Sequence, residues 1–170
     1  MPVVYRLCKK EFAPSTPDKA RAAGKGAAYG RSHWNCKGTE AVYTSSSIAL
    51  AVLEIMVNLT PPVFPNYECW RVEVPDSTVL TIQPEALPVE WRDRPYRPSV
   101  QALGDSWLVR SSAVAVPSAV LPQERNYLLN PHHSSYPVTS WERVKDFDFD
   151  PRLVRLVAAT SPAQDSPLIP

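Results

Sequence analysis

The chain of 170 residues has little cysteine, little histidine and almost no net charge. Cys8, Cys36 and Cys69 are an odd number at long spacings with no CxxC pair, which argues against a disulfide framework and leaves reduced thiols as the expected state. Of the three histidines, His132 and His133 sit side by side in a Pro-flanked loop, so neither they nor the cysteines offer the spacing of a metal site, and no metal is expected. There is no G-x-S-x-G elbow for a serine hydrolase and no G-x-G-x-x-G for a Rossmann site. The stretch GAAYGRSHWNCKG lacks the Lys-Ser/Thr ending of a phosphate loop. Lys and Arg outnumber Asp and Glu by only 18 to 17, so no overall field draws the chain to nucleic acid or an anionic membrane, and any basic site must be local. No apolar run reaches the roughly 18 residues of a membrane span, and MPVVYRLCKK lacks the apolar core of a signal peptide. A soluble, cytoplasmic protein is expected.

Proline, by contrast, is abundant: 19 residues, about twice the average usage of roughly 5%. That favours strands and ordered loops over a helical bundle, and the length suits one domain. Val3 to Leu7 alternates as a first strand that places Arg6 and Tyr5 on opposite faces. Residues 13–38 read as a long surface segment with a short helix near Pro17 to Ala23. Ala41 to Thr44 reads as a strand leading into a Ser-capped helix over 47–59, and Tyr67 to Val74 alternates as another strand. Thr78 to Gln83 is expected beside it, residues 84–98 as an irregular Pro-rich crossing, and Ser99 to Leu103 as a short helix ending at Gly104-Asp105. Ala113 to Val116, Ser118 to Leu121, Tyr127 to Asn130 and Arg152 to Val157 complete the strand candidates. The expected architecture is α+β, mostly antiparallel with few helices, residues 1–157 forming the domain and 158–170 a flexible tail.

The helix SSSIALAVLEIMVNL is apolar nearly all round and carries one carboxylate, Glu54. A buried, unpaired carboxylate costs several kcal/mol, so Glu54 is expected to face a polar cavity, to pair with a cation such as Arg6 or Arg31, or to stay protonated. Other polar residues stand out beside it: Arg31 and His33 in GRSHWNCKG, Tyr43 at a strand end, and Ser118 and Asn126 in VPSAVLPQERN. Taken singly, Arg31 reads as a surface cation, Tyr43 as a half-buried strand aromatic, Ser118 as a turn residue and His33 as a bystander.

Taken together and in order, these segments resemble the RES domain. The pieces are YRL at Tyr5 to Leu7, GRSHWNCKG, VYTSSSIALAVLE from Val42 to Glu54, GDSWL from Gly104 to Leu108, and VPSAVLPQERNYLLNPHH from Val116 to His133. Family members commonly read G-G-R-W-N, whereas here His33 precedes Trp34 and Arg31 lies two residues earlier. A neutral histidine cannot reproduce a bidentate guanidinium contact, so Arg31 is the candidate for the arginine role and His33 the alternative.

The resemblance implies an ADP-ribosyltransferase-like fold and a toxin of a toxin–antitoxin pair that uses NAD as substrate, with no cofactor. Glu54, Arg31, Tyr43 and Ser118 would be catalytic, and Arg6, His33, Trp34 and Asn126 would bind NAD. The implied reaction is cleavage of the nicotinamide–ribose bond by water or phosphate, as a glycohydrolase or phosphorylase. Transfer of ADP-ribose to a specific protein is the alternative, and a non-catalytic interaction module of the same fold is a further one. The implied partner is a cognate Xre-like antitoxin, with a homodimer compatible with such a complex, and no direct nucleic-acid contact.

Overall fold

Alternation in the first residues becomes strand β1 (Val3–Lys9) of a seven-stranded sheet in the computed structural model, which describes residues 1–29, 32–58, 66–136 and 140–160. The other strands are β2 (Val42–Ser45), β3 (Tyr67–Glu73), β4 (Val79–Thr81), β5 (Ala113–Pro117), β6 (Arg125–Leu129) and β7 (Trp141–Phe147). Their order is β4-β5-β6-β2-β1-β3-β7, and every adjacent pair is antiparallel except β4 with β5. The helices are α1 (Pro17–Ala22), α2 (Lys25–Tyr29), α3 (Ile48–Met56), α4 (Pro98–Arg110) and α5 (Pro151–Thr160). This is the α+β, mostly antiparallel architecture expected. No helix among the described residues is long and apolar enough to cross a membrane.

Residues opposite one another across a ladder share a face, so the register sorts the sheet into two sides. Val4, Val42, Val72, Ala113 and Leu129 line one side and pack with Ala23 and Tyr136. Tyr5, Leu7, Tyr43, Ser45, Val114, Val116, Asn126 and Leu128 line the other. That second side receives α3 against Leu7 and Cys69, and α4, through Val100, Trp107 and Leu108, against Val114, Val116 and Leu128.

Several elements differ from the sequence expectations, each for a physical reason. Helix α3 starts where expected: the Ser47 hydroxyl accepts the Leu50 N–H at 3.0 Å. It is not buried all round, however. Leu50 and Ala51 are buried, Ile48, Val52 and Ile55 are half-covered, and Leu53 and Val57 are exposed. Strand β4 does not lie beside β3; it crosses to the far edge and pairs with β5, a parallel partner that no local turn could supply. Ser118 to Leu121 is a turn rather than a strand, and the segment from Arg152 to Val157 belongs to α5, which opens on Pro151 at its first position. Strand β7, not expected, is an edge strand with Glu142, Arg143, Val144, Lys145 and Asp146 all exposed, so it has no apolar face to betray it.

The helix break expected at Gly104 does not occur: α4 runs through it for 13 residues. A glycine inside a helix costs about 1 kcal/mol relative to alanine, and here it is required by packing. A Cβ at Gly104 would lie 1.7 Å from the Trp34 carbonyl oxygen. The contact seats Trp34, 2% exposed, against Trp107 at 6.0 Å. Replacing Gly104 by Ala is expected to lower stability by at least about 2 kcal/mol, because backbone must move. A urea midpoint equal to wild type would show that α4 and Trp34 separate without cost.

Candidate active site

Strands β1 and β2 pair at one position, Tyr5 with Ser45, and part beyond it. Arg6 spans the parting: Nη1 donates to the Tyr43 carbonyl at 2.8 Å and Nη2 to the Ala23 carbonyl at 3.2 Å. Its buried Nε meets no acceptor among the described residues. A cleft of about 410 Å³ lies at this parting, bounded by β1, β2, α3 and the crossing that carries Arg94 and Tyr96.

Glu54 stands in one wall, held by neutral donors. Its Oε1 accepts from Ser118 Oγ at 2.7 Å and from Asn126 Nδ2. Asn126 is fixed in turn, its Oδ1 accepting from Ser45 Oγ at 2.8 Å. The Ser118 oxygen accepts the backbone N–H groups of Val120 at 3.1 Å and Leu121 at 3.0 Å, which leaves its single hydrogen for Glu54. Ser118 and Asn126 are buried while Glu54 is half-buried, so the carboxylate is clamped from behind and open to the cleft. Of the three expectations for Glu54, the structure bears out the polar cavity: two hydrogen bonds hold the carboxyl, it forms no ion pair among the described residues, and a pairing with Arg31 lies outside them.

An aromatic column forms another wall. His33 lies between Trp34 at 4.5 Å and Tyr96 at 4.8 Å, each within 10° of parallel. His33 Nε2 is within hydrogen-bond reach of the Trp91 carbonyl. A carbonyl only accepts, so the proton sits on Nε2. Burial holds His33 below its usual value of 6.5, against the opposing pull of the Trp91 carbonyl. His33 is therefore a neutral stacking element rather than a cation. The Tyr43 ring lines the cleft, but its hydroxyl donates to Asn35 Oδ1 at 2.7 Å and accepts the Trp34 N–H at 3.1 Å. Burial pushes that phenol well above its usual range, so Tyr43 presents a ring and not an ionisable group.

The structure thus places Glu54, Ser118 and Asn126 in direct contact, with Tyr43, Arg6, His33 and Trp34 also bordering the cleft. Arg31 lies outside the described residues. Ser45, Arg94 and Tyr96 were not singled out from the sequence. Arg94 Nη2 donates to Asn58 Oδ1 at 3.2 Å, and Asn58 Nδ2 donates to the Glu54 carbonyl at 2.9 Å, tying the Pro-rich crossing to the end of α3. Residues 84–98 were expected only as an irregular Pro-rich crossing.

The family described as the RES domain matches residues 3–152. This chain belongs to the RES domain family. A protein named "Toxin Res" from Yersinia enterocolitica serotype O:8 / biotype 1B is 34% identical over 155 residues, covering 89% of this chain and 99% of that protein. A "Prs ADP-ribosylating toxin" from Sphingobium sp. (strain YBL2) is 34% identical, covering 78% of this chain and 86% of its own length. A "Toxin Res" from Pseudomonas putida is 35% identical over 139 residues, covering 79% and 93%. In this RES domain the Ser118–Glu54 contact joins the two segments, VYTSSSIALAVLE and VPSAVLPQERN, that carry much of the resemblance.

The His33 environment has a pH consequence. Its folded value lies below the 6.5 of an unfolded chain, so the unfolded state takes up the proton first. The stability it contributes is complete above 6.5 and is lost as pH falls through the folded value. Chemical denaturation between about pH 7.5 and pH 5 should show a decline that His33→Gln reduces, since Gln offers an N–H to Trp91 and does not titrate. Identical slopes in the two proteins would remove His33 as a source.

Proposed function

We propose that this RES domain is an NAD-consuming toxin that cleaves the nicotinamide–ribose bond. The observation that carries the reading is a single carboxylate, Glu54, oriented by Ser118 and Asn126 and open to a cleft with aromatic walls and an arginine at its parting. Nicotinamide in NAD is already a cationic pyridinium and leaves as a neutral molecule, so the reaction needs no general acid, unlike ordinary glycoside hydrolysis with two carboxylates. Positive charge develops on the ribose as the bond breaks, and a preoriented carboxylate stabilises the transition state more than the ground state.

In this reading Glu54 accepts hydrogen bonds from ribose hydroxyls and faces the developing oxocarbenium. Ser118 and Asn126 are positioning residues that act through Glu54. The Tyr43 ring and the edge of the His33–Tyr96 stack border the space for the flat nicotinamide, and Arg6 and Arg31 supply charge for the pyrophosphate. The acceptor is water, giving ADP-ribose, or inorganic phosphate, giving its 1-phosphate. A cognate Xre-like antitoxin that covers the cleft, a homodimer in that complex and action in the cytoplasm complete the proposal. The name of the Sphingobium relative favours a second reading, in which ADP-ribose passes to a protein acceptor.

Incubation of the purified chain with NAD, with and without phosphate, separates these. Release of nicotinamide with free ADP-ribose or its phosphate supports degradation, while label retained on a protein supports transfer. Glu54→Gln keeps a carbonyl oxygen for Ser118 and Asn126 but removes the charge, so it should leave the melting temperature within a degree or so and lower turnover at least about 100-fold. Neither NAD consumption nor labelled protein with wild type would leave a non-catalytic interaction module as the better account, and equal consumption by wild type and Glu54→Gln would overturn the role given to Glu54.

A further inference from the structure

A second cavity of about 520 Å³ adjoins the cleft, and the two share Arg6, Leu7, Ala23 and Gly26 in their walls. Its floor is apolar, formed by Leu7, Cys8, Ala13, Ala22 and Ala23. Three lysines, Lys9, Lys19 and Lys25, border it together with Arg6, against one carboxylate, Glu11. None of the three lysines forms an ion pair with a described residue, although Lys10, next in sequence to Lys9, pairs with Asp146 at 2.8 Å outside the cavity. Phe12 and Tyr29, 60% and 82% exposed, also border it. In a chain whose net charge is only +1, four cations around one concave apolar surface form a local field for an anion that carries a flat ring.

We infer that this second chamber seats the adenylate half of the dinucleotide, the base against the apolar floor and Phe12, and the lysines supplying charge to the phosphates. The inference rests on the dinucleotide reading of the adjoining cleft. A molecule that presents its nicotinamide ribose to Glu54 carries its pyrophosphate and adenosine away from that carboxylate. The shared wall at Arg6 puts the chamber directly beside the cleft. Arg6 then lies where the two nucleotide halves join. An acidic protein segment is the less favoured occupant, because the surface is concave and shares a wall with the cleft.

The test is calorimetric titration of the full chain with adenosine monophosphate and with adenosine, for wild type and for the variant Lys9→Ala/Lys19→Ala/Lys25→Ala. None of the three side chains forms an ion pair with a described residue, so the variant should fold, and its melting temperature serves as control. The expected result is that wild type binds the monophosphate more tightly than adenosine and that the variant loses at least about tenfold of that affinity, less at high salt. A parallel comparison of kcat/KM for NAD and for nicotinamide mononucleotide should show their ratio falling by about the same factor in the variant. Absence of monophosphate binding to wild type, unchanged affinity in the variant, or an equal fall with both substrates would overturn the chamber assignment. Monophosphate binding by a protein that consumes no NAD would instead sink the enzymatic reading and leave the chamber standing.

Discussion

Strands β1 and β2 meet at Tyr5 and Ser45 and then part, and the rest of the molecule is arranged around that parting. An open edge inside a sheet leaves backbone groups without a ladder partner, which is costly unless something replaces it. Arg6 supplies the replacement, satisfying the Tyr43 carbonyl on β2 and the Ala23 carbonyl beyond α1 with one planar group. The gap is thereby held open without being closed by a strand. Both cavities border it, and Arg6 is common to their walls.

The side of the sheet that receives α3 and α4 then builds the polar cluster. Ser45 lies opposite Asn126 in the β2–β6 ladder, so the one can donate to the other across the strands. Glu54 comes down onto this pair from α3, and Ser118 reaches it from the turn after β5. Each donor is itself held by a further bond, so the carboxylate faces a rigid support and an open front, the condition for electrostatic preorganisation. The helix that carries Glu54 is anchored by the same region: Ser46 and Ser47 donate to Glu124 at 3.2 and 2.7 Å, just before β6.

Much of this was legible in the chain where the determinant was local. The Ser47 cap, the apolar period of α3, the alternation of β1 and β3 and the isolation of Glu54 are all encoded within a few residues. The candidate residues could be named, but the reason for their grouping could not be read. Ser118 and Asn126 lie 64 and 72 positions from Glu54, and no short-range pattern says that their side chains meet. The Pro-rich crossing was read as a surface loop because its composition is that of one. Its Tyr96 and the Trp91 carbonyl instead close over His33, a contact decided by the path of the chain.

Glycine and edge positions show the same division. Gly104 looks like a helix break when only propensity is counted, and becomes intelligible once the Trp34 backbone is seen against it. Strand β7, exposed along its charged middle, has no apolar period to read, and β4 takes a parallel partner 34 residues later in the chain. The sequence by itself determined the α+β class, the capped helix and the lone carboxylate, because capping, periodicity and the cost of burying charge act over a few residues. Only the tertiary structure decided that Ser118 and Asn126 hold Glu54, and that Arg6 lies in the walls of two cavities. Both depend on strand register and on the parting of β1 from β2, which are set by packing across the whole sheet.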